Sequence, residues 1–190
     1  MRAPGTAGCF GKLRCNGDFV TRRLPSSFVE PWDVMLQAGL LASRDALGSA
    51  WLDAYLTAPL WSFALGGAVL GSVAWAGVLM PSVDRAGRHF PLTIAAPIAA
   101  DACADWMPHS GGWFARCREL ALSTLMPHAS LADFDAGLSA LSDASGKGEA
   151  PPRMAGTHGV LAWWQEGEVR EAAGLPDAVF VAALFDGRAF

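Results

Sequence analysis

The sequence has no Cys-x-x-Cys pair, no histidine cluster and no basic face, and each shortage removes a class of function. Its four cysteines (Cys9, Cys15, Cys103, Cys117) and four histidines (His89, His109, His128, His158) are dispersed, without the short ligand spacing that a zinc site needs. No metal and no cofactor are therefore expected, and buried or half-buried reduced thiols are the default for the cysteines. A net charge of -4 with scattered arginines lacks the basic footprint of a nucleic-acid binder. Catalytic words are missing too. There is no Gly-x-Ser-x-Gly elbow and no Gly-x-Gly-x-x-Gly after a strand, and Gly146-Lys147 is followed by Gly148 without the upstream glycine of a phosphate loop.

The longest absence is of charge. From Ala54 to Val83 there is no Asp, Glu, Lys, Arg or His, a length that invites a membrane span, since about 20 apolar residues suffice. The run is broken by Pro59, Gly66-Gly67, Gly71, Gly77 and Pro81, and its polar and Trp residues (Trp61, Ser62, Ser72, Trp75) are spread through it rather than held at two interfaces. Two buried strands joined by a glycine-rich turn fit better, because Val73 to Met80 is apolar on both alternating faces. At the N-terminus Thr6-Ala-Gly-Cys9 imitates a lipoprotein processing site, but only Met1 to Gly5 precede it, too few for an export signal. The expectation is a cytoplasmic protein without membrane insertion, with a membrane component as the alternative.

What is present is a large apolar core. The 190 residues are 52% hydrophobic with eight Trp and ten Phe, enough for one domain that needs no disulfide or metal staple. A short strand is predicted over Gly8 to Leu13, a turn at Asn16-Gly17-Asp18, and a helix beginning near Glu30-Pro31, where proline suits the first helical position. Trp32, Leu36, Leu40 and Leu47 give that helix an apolar stripe. A second helix follows over Ser49 to Leu56. Strands are predicted near Leu60 to Leu65, Val73 to Met80 and Phe90 to Ala96, the last closed by Pro97. Helices return at Gly112 to Leu125 and Leu131 to Leu141, then a flexible connection of about 143–156. A strand over Gly159 to Trp164, a turn at Glu166-Gly167 and a helix over Asp177 to Phe185 complete the chain. This interspersed order predicts an α/β fold with a central sheet covered by helices on both faces.

The polar residues concentrate on the loop between the second and third of these middle strands, which holds Asp84, Arg85, Arg88 and His89. Two arginines beside a glycine can offer planar donors to a partner's carboxylate or phosphate. Equally, Asp84 and Arg85 can tie the loop to its own backbone. A nucleophilic site from Ser82, His89 and Asp84 would make a small hydrolase, provided the base reaches its nucleophile. Asp18 with Arg22 and Arg23 forms a second polar junction, open to the same binding and structural readings.

The chain resembles the TagF family, also called ImpM, of type VI secretion accessory proteins. The resemblance is carried by Phe10-Gly-Lys-Leu13, Gly17-Asp-Phe-Val20, Arg23-Leu-Pro25 and Ser27-Phe-Val-Glu-Pro-Trp-Asp33. It continues through Trp75-Ala-Gly-Val-Leu-Met-Pro-Ser-Val-Asp-Arg85 with Gly87-Arg88, Phe90-Pro-Leu92, Trp163-Trp164 and Gly174-Leu-Pro176. Arg14, Ser62 and His89 depart from the family pattern. The resemblance implies a three-layer α/β/α sandwich, one TagF-like domain over 1–190, and a non-enzymatic cytoplasmic protein. Such a protein would repress type VI secretion after translation, in a manner linked to a forkhead-associated scaffold protein. Asp84, Arg85, Arg88, Asp18, Arg22 and Arg23 are then the expected partner-binding residues.

Overall fold

The charge-free run forms two of the three central strands of a single sheet. The computed structural model describes residues 4–141, 148, 151–152 and 158–186. In chain order its elements are β1 (Gly8–Lys12), β2 (Phe19–Arg22), α1 (Ser26–Leu47), α2 (Trp51–Thr57), β3 (Trp61–Leu65), β4 (Ala74–Met80) and β5 (Leu92–Ile98). They continue with α3 (Ala100–Trp106), α4 (Gly111–Ser123), α5 (Leu131–Ala140), β6 (Val160–Gln165), β7 (Glu168–Ala173) and α6 (Ala178–Asp186). Short 3-10 turns at Gly48–Ala50 and Met107–His109 lead into α2 and α4. The connection expected at about 143–156 lies mostly outside the described residues.

The strand order is β2-β1-β5-β4-β3-β6-β7, and each neighbouring pair is antiparallel. Every residue of β3 and β4 is buried, because helices cover both faces. On one face α1, α2 and α6 enclose an aromatic core including Phe28, Trp32, Tyr55, Phe63 and Trp163. On the other, α3, α4 and α5 pack Cys103, Trp106, Trp113, Phe114, Cys117 and Phe134 onto smaller strand residues such as Ala64, Ala76 and Val78. These layers are the α/β/α sandwich that the sequence predicts. The outer strands are short or alternating: β2 has four residues and β7 reads EVREAA with every second side chain exposed, devices that discourage edge-to-edge pairing.

Two prolines act differently from expectation. The first helix starts at Ser26 rather than near Glu30-Pro31, and Pro31 lies inside it. Pro31 cannot donate to the Ser27 carbonyl, yet the first turn holds because Phe28 N and Val29 N both donate to Pro25 O and the buried Phe28 ring stacks on Trp32 at 5.2 Å. Burial of that aromatic pair outweighs one missing helical bond. Pro97 does not close β5 but sits within it, opposite Trp75. Its carbonyl accepts from Gly5 N at 2.8 Å. A residue's N–H and C=O leave a strand on the same side, so the missing donor faces away from β4 and the β4–β5 ladder is intact.

Strands β2 and β7 and helix α3 have no counterpart in the sequence reading. The turn Glu166-Gly167 proves to be the two-residue loop of a β6–β7 hairpin, with Gln165 opposite Glu168 and φ of 36° and 85° at the loop residues. Positive φ at both positions matches the twist of a hairpin.

Candidate functional site

The site is built where β1 ends. Lys12, the last residue of β1, is 5% exposed and donates Nζ to Asp84 Oδ2 at 2.5 Å, with its ammonium 4.7 Å from the Phe19 ring centre. A lysine this buried needs a counter-charge. Asp84, with its side chain fully enclosed, supplies it. The same oxygen accepts from Arg88 Nε at 2.7 Å, while Oδ1 accepts from the amides of Ala86 and Arg88, each at 2.9 Å. The Lys12 hydrogen bond, opposed by burial and joined by donors from Arg88 and Ala86, holds the Asp84 carboxyl well below the usual carboxylate range.

This loop is docked on the turn after β1. Arg85 N donates to Asn16 O at 2.8 Å and Arg88 Nη2 to Gly17 O at 2.5 Å. Ser82 is fixed from both sides: its Oγ donates to Lys12 O at 2.8 Å, and Tyr55 Oη donates to Ser82 O at 2.9 Å. His89 lies edge-on to Trp51 and Tyr55, with ring centres 5.4 and 5.6 Å away. Burial and the charge of Arg44 lower its pKa, and Asp84 partly opposes them.

The predicted residues thus have distinct placements. Asp84 is the buried hub, Arg88 is held by it with its side chain 60% exposed, and Arg85 is exposed. Asp18 belongs to the same end of the hairpin, where its Oδ1 accepts from Phe19 N. Arg22 and Arg23 lie at the hairpin's other end, where Arg22 opposes Cys9. Arg23, at φ 57°, makes a fork-to-fork contact with Asp135 on α5, both bonds at 2.9 Å, and Arg22 Nε is 3.9 Å from the same carboxylate. The structure therefore separates Asp18 from the two arginines. It also separates the hydrolase trio. Ser82 is turned to a backbone carbonyl, Asp84 to two cations, and His89 to an aromatic pocket, so no nucleophile–base relay is formed.

Lys12, Tyr55 and Gly17 are the residues that sequence reasoning missed. Lys12 carried a signal, a lone lysine inside an otherwise apolar strand. Tyr55 carried none, since its partner is a backbone group brought 27 positions along the chain. Among the described residues, no three His, Cys, Asp or Glu side chains are grouped to hold a metal ion, and no helix is long and apolar enough to cross a membrane.

Residues 8–141, which contain this whole site, match the family model of the TagF N-terminal domain, Type VI secretion system-associated. No curated protein matches the chain significantly. The crystal structure of PA0076 from Pseudomonas aeruginosa PAO1 is similar over 97% of this chain and 96% of that one, with 37% identity and a TM-score of 0.82. A domain match across most of the length, joined to a fold shared end to end at that identity, means that this chain belongs to the TagF family of type VI secretion system-associated proteins.

Proposed function

We propose that the protein is a cytoplasmic accessory factor, acting as a single TagF-like domain over 1–190, that represses type VI secretion after translation by binding a forkhead-associated scaffold component. The family membership of residues 8–141 is the observation that carries this reading. Binding rather than catalysis is supported at the loop itself, where Ser82 and Asp84 already have internal partners and the groups left facing solvent are guanidinium donors. Asp84, Arg85 and Arg88 with Asp18 form the proposed docking surface, Asp84 as its internal brace. Arg22 and Arg23 are a second proposed surface, already tied to α5.

The test is genetic. Deleting the gene should raise sheath assembly and overproduction should lower it, with secretion components unchanged in amount on immunoblots. Component levels that rise or fall with the protein would replace repression after translation with control of expression.

A further inference from the structure

The 84–88 loop has the form of an anion-binding nest whose anion is its own Asp84. All five backbone N–H groups of the loop are engaged. Asp84 N donates to Arg88 O, Arg85 N to Asn16 O and Gly87 N to Asp84 O, while Ala86 N and Arg88 N donate to Asp84 Oδ1. Bound phosphates are commonly cradled by such amides, and here none is free. Only side-chain forks remain.

Two of them meet over one glycine. Arg88 Nη2 donates to Gly17 O, and a Cβ placed on Gly17 would lie 3.4 Å from Arg85 Nη2, so both guanidiniums rest on the same residue. Among the described residues, the carboxylate that pairs with Arg88 is Asp84, and it is shared with buried Lys12. With exposed Asp18 next to Gly17, the cations Lys12, Arg85 and Arg88 outnumber the two local carboxylates by one positive charge, on a chain whose net charge is -4. Arg88 is preorganised by its bonds to Asp84 and Gly17. Arg85 has no hydrogen bond or ion pair on its guanidinium among the described residues. A planar fork without a protein acceptor matches a carboxylate's two oxygens.

We infer that Arg85 and Arg88, seated over Gly17, take a carboxylate-bearing acidic segment of the protein partner. This deepens the scaffold-binding reading above and rests on it. The experiment titrates the purified full-length chain with the purified forkhead-associated scaffold at low and moderate salt. Wild type should bind, more weakly as salt rises. Arg85→Gln should weaken binding about tenfold or more with its melting temperature unchanged, and Arg85→Lys should fall between, keeping charge without the fork. Arg116→Gln, which removes an exposed charge on α4, should bind like wild type, as should wild type after phosphatase treatment of the scaffold. Undiminished binding by Arg85→Gln overturns the inference while leaving scaffold binding standing. Loss of binding after phosphatase treatment makes the ligand a phosphate and overturns the carboxylate. Failure of wild type to bind at all overturns both readings.

Discussion

His89 is half-buried against two aromatic rings, and that surrounding sets the sign of a pH effect. Burial and Arg44 lower its pKa from the usual 6.5, so the folded state disfavours the imidazolium. The unfolded chain then binds more protons below that value, and stability rises with pH across this interval. The contribution should be present above about pH 6.5 and be lost as the pH falls towards the lowered value. Melting curves between pH 5 and 7.5 should show this decline, and His89→Phe should flatten it. An unchanged slope in the variant would assign the effect elsewhere. Asp84 acts in a separate window: its contribution holds above its usual 3.8 and is lost only as the pH falls below it. At this scale the sequence located the loop and its charges but not their directions. Asp84, Arg85 and Arg88 lie within five positions in sequence, yet Asp84 points inward because Lys12, 72 positions away, needs it. No local pattern records that partner.

Helices α1 and α6 approach so closely that one position tolerates no side chain. A Cβ on Gly39 would collide with the side chain of Val181. Gly39→Ala should therefore lower stability by about 1–3 kcal/mol, as overpacking commonly does, despite alanine's better helix propensity. Adding Val181→Ala should recover part of the loss, because residues in contact are not additive. Denaturant titration of the two single variants and the double variant decides this, and full additivity would refute the contact. Elements with long apolar runs, such as β4, were legible because every residue of them is buried. Strand β2 was not, since only Val20 of its four residues is buried and so short a segment establishes no period. Pro31 and Pro97 misled for different reasons: Pro31 gives up a helical bond that burial of the Phe28–Trp32 pair outweighs, whereas Pro97 lacks a donor that would face away from β4, and both depend on neighbours the sequence cannot place.

Across the whole molecule the thiols divide by depth. Cys9, Cys103 and Cys117 are buried and Cys15 is half-buried. Burial pushes the Cys9 thiol up to about 12 and raises Cys103 and Cys117 as well. Since the thiolate is the reactive form, brief alkylation of the native protein should modify Cys15 well ahead of the other three, and all four should react once it is unfolded. Peptide mass spectrometry resolves the sites, and early labelling of Cys117 would contradict the packing beneath α4.

The order of the strands has a consequence for synthesis. Strand β3 receives its outer neighbour from β6, about 100 positions later, and the aromatic face of α1 is closed by Val181, Leu184 and Phe185 of α6. A nascent chain that has emerged only through residue 141 thus carries the whole segment matched by the family model but still exposes an unpaired strand edge and an uncovered aromatic layer. Completion waits on long-range contacts, which slow folding and leave the emerging chain open to aggregation. Strand β6 and helix α6 act as the latch, and ribosome-bound chains stalled before α6 should depend on chaperones where the released protein does not.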